Sequence, residues 1–187
     1  MAPIQQKYDE LLAFFQWWLP LYLPNVTVYL EGQSAPKPAN PYVAFNPLAD
    51  IDEVGLDETR YTETGGEVLR GQRVVTCTLK AYSDSETRFN GQDNAWGILQ
   101  ELRFSLGYPD VYAKLSEINC RVLDRETVDN VSTTMNTTNE PRANFTFTLS
   151  TVIVQDIDRG QIATVNATGS MQGSNNILPA EFSATKP

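Results

Sequence analysis

From Ile4 to Leu19, apolar residues recur at Ile4, Tyr8, Leu11, Leu12, Phe15 and Leu19, the three-and-four spacing of an amphipathic helix. Pro3 stands at the start, where a missing amide hydrogen costs nothing. Pro20 and Pro24 predict the end, because proline removes a helical donor and crowds the preceding turn. Phe14, Trp17 and Trp18 widen the stripe until the last turns are apolar nearly all round, so that end must be covered by a sheet or a neighbouring subunit. Val26 to Leu30 alternates as a short strand, a connection through Pro36, Pro38 and Pro41 follows, and Tyr42 to Phe45 reads as the next strand. Ala49 to Gly66 is an acidic hairpin ending in a Gly65-Gly66 turn. Glu67 to Tyr82 carries the strongest strand pattern. Its Val75, Cys77, Leu79 and Ala81 face one way; Val74, Thr76, Thr78 and Lys80 face the other. Asn90 to Leu106 predicts a second helix through Ala95, Ile98, Leu99, Leu102 and Leu106, with Gly107 as its stop. Asn119 to Val128 and Arg142 to Ile157 predict further strands, joined by the polar stretch NVSTTMNTTNEP.

This order implies an α+β fold, with a mostly antiparallel β-sheet and two helices packed on one face. Nothing repeats internally. The chain changes character after Arg159. A short strand signal at Ile162 to Val165 gives way to Gly, Ser and Asn, with Ile177, Leu178 and Phe182 as the apolar anchors. Such a segment is either disordered or ordered by a partner. The expected division is one domain over 1–168 and an extended or partner-ordered tail over 169–187.

Length and charge narrow the function classes. At 187 residues the chain holds one well-packed domain and is short for two. Acids outnumber bases 23 to 14, a net charge of -9, which opposes general affinity for a nucleic-acid backbone. Positions 51 to 70 alone hold six acids and two bases, a net of -4. The alternating oxygen ligands and central glycine of a calcium loop are missing there. The chain contains no histidine, so Ser-His-Asp and Cys-His catalysis, histidine zinc sites and histidine pH switches are excluded. The N-terminus lacks a basic segment leading into an apolar run, and the apolar stretch Leu11 to Leu23 is too short to span a bilayer. Two cysteines, Cys77 and Cys120, fall in strand-like runs and are expected to be buried, reduced thiols of a cytoplasmically made protein.

The search for chemistry finds little. Neither a Gly-rich phosphate loop nor a GxSxG turn is present. Asp124 and Glu126, two apart in a strand, share a face and are the one carboxylate pair a small hydrolase would use. Arg121 and Arg125 are near enough to neutralise them. The expectation is a non-catalytic protein with no cofactor and no metal.

The order of features nonetheless resembles a known family. A helix is followed by a strand and the proline-rich segment APKPANPYVAF, then the long strand GQRVVTCTLKAYSDS and the helix NAWGILQELRFSL. A strand ending in VLDRETV comes next, and then EPRANFTFTLS. Pro41-Tyr42-Val43 and Glu140-Pro141-Arg142-Ala143, in that order, are the motifs that carry the likeness. The chain resembles the neck or tail terminator proteins of contractile-tailed bacteriophages over about residues 4 to 168.

The resemblance implies a structural virion protein at the tail or neck, made in the host cytoplasm. It would form a ring, usually hexameric, that caps the tail tube and ends its polymerisation. The ring would offer a surface to the head connector around the DNA channel. Implied partners are copies of itself, the tail tube and sheath proteins, and head–tail connector proteins, with DNA passing through the lumen without specific binding. Alternatives are another head–tail joining ring subunit (head-closure or connector), a small carboxylate-based hydrolase, and a secreted carbohydrate-binding or adhesive domain. On the first reading, Asp52, Glu53, Asp57 and Glu58 face the channel and repel passing phosphates. The candidate subunit interface comprises Trp17, Trp18, Glu140, Arg142, Ile177, Leu178 and Phe182.

Overall fold

Helix α1 (Pro3–Tyr22) packs its Leu11, Phe14, Phe15, Trp18 and Leu19 into the core. It runs past the expected stop: Pro20 lies inside the last turn, and the Leu23 amide still donates to Leu19 O at 2.9 Å. A proline so near the end removes only its own donor, and burial of Leu19 and Leu23 favours completing the turn. The computed structural model describes residues 3–34, 36–61, 66–84, 94–131, 133–135, 138–157, 164–172 and 177–185, with 133–140 and the residues from 157 onward described as backbone alone.

Strand β1 (Thr27–Leu30) runs parallel to the start of β2 (Tyr42–Tyr61). β2 pairs antiparallel with β3 (Glu67–Tyr82), which pairs antiparallel with β8 (Arg142–Ile157). The β4 strand (Cys120–Arg125) completes the order β1-β2-β3-β8-β4, and β5 (Asp129–Asn130) adds to β8. Helix α2 (Ala95–Ser105) begins at the cap Asn94, whose side chain accepts from the Trp96 amide. A third helix, α3 (Pro109–Glu117), follows with proline in its first turn.

The expected α+β architecture is present, with three helices rather than two on the buried face. One apolar cluster unites Leu11, Phe15 and Trp18 of α1, Ile98, Leu99 and Leu102 of α2, and Val111 and Leu115 of α3. Beneath them lie Val43 and Phe45 of β2, Val75, Cys77 and Leu79 of β3, and Phe145, Phe147 and Leu149 of β8. The ring of Phe15 stacks on Phe45 at 5.3 Å and on Phe147 at 6.0 Å. Both cysteines are free and buried, Cys77 with its thiol on Pro47 O at 3.1 Å. Burial pushes both thiols above their ordinary range.

Two small antiparallel pairs complete the backbone. β6 (Thr133–Met135) pairs with β7 (Thr138–Glu140) inside the stretch expected to be a plain polar connection. β9 (Thr164–Gln172) pairs with β10 (Ile177–Thr185), so the C-terminal segment is an extended two-stranded ribbon.

Candidate assembly surfaces

The three long strands outrun the helices. β2 is 20 residues long, β3 and β8 are 16 each, and the core ends near Ile51, Val75 and Leu149. From Asp52 to Tyr61 every residue except Asp57 is exposed. Since β1 pairs only with Tyr42 to Phe45, the rest of β2 has β3 on one side alone. The acidic stretch is therefore no small hairpin; it is the distal half of a projecting arm.

The four acids singled out in the sequence lie on this arm, but they do not act alike. Glu53 stands across the ladder from Arg73, at 3.3 Å. Asp57 sits in a register shift between Val54 and Glu58 and takes both guanidinium nitrogens of Arg73 at 2.7 Å each. The Arg73 hydrogen bonds hold the Asp57 carboxyl below the usual carboxylate range, and Asp57 in turn raises Arg73. Glu58 pairs with Arg60 at 2.9 Å. Asp52 is exposed, opposite Val74, on the side away from the helices. Sequence reading saw the acids as one patch because the arginines that partner them come from register, which spacing does not reveal.

The two tryptophans divide. Trp18 is 0 % exposed, and its indole Nε1 donates to Ser105 Oγ at 2.9 Å, so this side chain is spent inside its own subunit. Trp17 is half-buried beside the core, 6.1 Å from the ring of Phe14. Of the pair, Trp17 retains surface for a neighbour.

Arg142 begins β8 directly across from Tyr82, with its guanidinium 5.4 Å from that ring. Tyr82 stacks on Tyr42 at 4.5 Å, and the Lys37 ammonium lies 5.6 Å from the Tyr82 ring. This cation–aromatic stack occupies the helix-free face of the sheet, and sequence reading did not find it. The signal was present in the equivalent positions of Tyr42, Tyr82 and Arg142 at the ends of their strands. Glu140 in β7 and Ile177, Leu178 and Phe182 in β10 are described as backbone alone, so their side chains lie outside the described residues.

The described residues do not bring Asp124 and Glu126 together in a pocket. Asp124 and Glu126 are both exposed, Asp124 accepts from the Arg125 amide at 2.8 Å, and the groove beside Asp124 includes no second carboxylate in its lining. Among the described residues no group of three His, Cys, Asp or Glu is arranged to hold a metal ion. No described helix is long and apolar enough to cross a membrane.

Residues 9–174 match the family model for the phage neck terminator protein, which covers most of the chain. A search of curated proteins returns no match.

Proposed function

This chain belongs to the phage neck terminator protein family, structural components of the virion neck, and from that premise we propose that it works by closing into a ring on the head-proximal end of the tail tube. The ring, hexameric in this reading, ends tube polymerisation and gives the head connector a surface to meet. Tail tube, sheath and connector proteins are its partners, and it assembles in the host cytoplasm. The role is one of occupying a place, with no reaction to catalyse.

The observation that supports this reading best is the projecting arm. A ring needs two different patches that meet when subunits rotate about an axis. A three-stranded arm carrying exposed Val54, Leu56 and Tyr61 on its free β2 edge is unsuited to a lone monomer and suited to such a contact. Trp17 and Arg142 are exposed enough to contribute, and the tail over 169–187, with Ile177, Leu178 and Phe182, is the segment proposed to reach a neighbour or the sheath. Glu140 is proposed to complete an inter-subunit ion pair.

The channel assignment follows from charge. Asp52 and Glu58 lie on the helix-free side of the arm, and Glu53 and Asp57 lie against Arg73. We assign Asp52 to the lumen, where an exposed carboxylate on the helix-free side keeps phosphates moving. Tube protein polymerised in vitro with and without this chain tests the proposal: added chain should stop growth and appear as rings at one tube end. Tubes that grow past it unaltered would overturn the reading.

A further inference from the structure

The arm holds one residue in an unusual way. Leu56 is 97 % exposed, and three separate features shape the backbone that presents it. Gly55 before it has φ +75, a conformation that side-chain-bearing residues rarely adopt. Asp57 after it is turned back onto both nitrogens of Arg73. Gly71 beneath this ion pair leaves the room, since a Cβ there would lie 2.0 Å from Asp57 Oδ1. A bulge that glycine permits on one side of an exposed leucine and an ion pair holds on the other presents that leucine as a knob.

The opposite edge of the same sheet carries a groove of about 440 Å³ between α2, α3 and β4. Leu106, Gly107, Tyr112 and Leu123 give it an apolar floor, and Arg103 and Arg125 line it too. Its one acid, Asp124, has its carboxylate on the Arg125 amide at 2.8 Å. Leu56, by contrast, sits on an arm whose positions 51–70 carry six acids to two bases, so the arm keeps a net negative charge after Arg73 pairs with Glu53 and Asp57 and Arg60 with Glu58.

We propose that Leu56 of one copy seats in the Arg103–Tyr112–Leu123 groove of the next, the net negative arm meeting a groove that carries Arg103 and Arg125. Knob and groove lie toward opposite edges of the sheet, so the contact is heterologous and repeats around an axis. The inference rests on the ring reading and deepens it by naming both surfaces and their occupant, a second copy of this chain.

A Leu56→Cys/Leu123→Cys variant tests it, since Cys77 and Cys120 are buried and do not compete under mild oxidation. A ladder of cross-linked subunits on a denaturing gel is the expected result, with each single-cysteine variant giving none. Leu56→Asp and Arg125→Glu should each lower the assembled fraction at least tenfold while the Leu56→Asp monomer melts as the wild type does. Rings that form normally in Leu56→Asp, or a double-cysteine variant in rings without inter-subunit bonds, overturn the inference and leave the ring reading standing. A wild-type chain that stays monomeric with tube ends present overturns both.

Discussion

Asp57 grips Arg73 through both carboxylate oxygens, at 2.7 Å each, above a glycine that has no side chain to obstruct them. The contact spans a register shift in β2 and sets the shape of the arm beyond the core. Gly71→Ala should force the pair apart. Overpacking of this kind costs about 1–3 kcal/mol, which thermal unfolding would show as a fall of several degrees in Tm. An unchanged Tm would mean that the pair moves aside freely and that the bulge is not pinned.

The same pair makes an acid-limb prediction. Arg73 depresses the folded-state pKa of Asp57, so its stabilisation is complete above the ordinary aspartate range near ~3.9 and is lost as pH falls through the depressed value. The stability difference between the wild type and Asp57→Asn should be constant at neutral pH and shrink below about pH 4. Denaturant midpoints across that range check it. A difference that does not change with pH would show that the ion pair contributes nothing.

Much of the fold was readable from periodicity, because one-sided burial leaves a clean signal. Glu67–Tyr82 and Arg142–Ile157 alternate along the stretch that lies under the helices, and both strands have the expected bounds. Where burial is absent the signal vanishes. β2 read as four residues because continuous burial ends at Phe45, and the exposed arm beyond Asp52 has no apolar rhythm to detect. Helix α3 was missed for its brevity, although Pro109 at its start and Val111 and Leu115 four apart marked it. For the candidate surfaces, the acids were visible but their arginine partners were not. Which tryptophan turns inward depends on Ser105, 87 positions away.

That distinction can be tested. Ser105→Ala leaves the buried indole N–H of Trp18 without its acceptor, a loss of about 1–3 kcal/mol. It should lower Tm and leave assembly of the folded fraction unchanged. Trp17→Ala should lower the assembled fraction of the folded protein, which Ser105→Ala does not. Paired melting and sedimentation measurements decide between them, and a Ser105→Ala variant that melts normally would show that this hydrogen bond does not stabilise the fold.

At the far end of α1, Tyr22 donates to Asp110 Oδ2 at 2.7 Å and joins the first helix to the third. Burial first, then this hydrogen bond, raises the Tyr22 pKa to about 12, while the tyrosine hydroxyl lowers Asp110. A raised folded-state pKa stabilises fully below the ordinary tyrosine value near ~10, and the contribution disappears as pH climbs through about 12. The difference between the spectrophotometric titrations of wild type and Tyr22→Phe should be a phenol that ionises at about 12. A lost phenol that titrates near the ordinary tyrosine value of ~10 would contradict the contact.

All of these contacts serve a subunit whose proposed work is to stop a polymer. The most direct measurement is the length distribution of tails assembled with and without the chain, read by electron microscopy. The account predicts uniform tails capped by a ring when it is present, and overgrown, uncapped tubes of scattered length when it is absent. Tails of normal, uniform length formed without it would contradict the account.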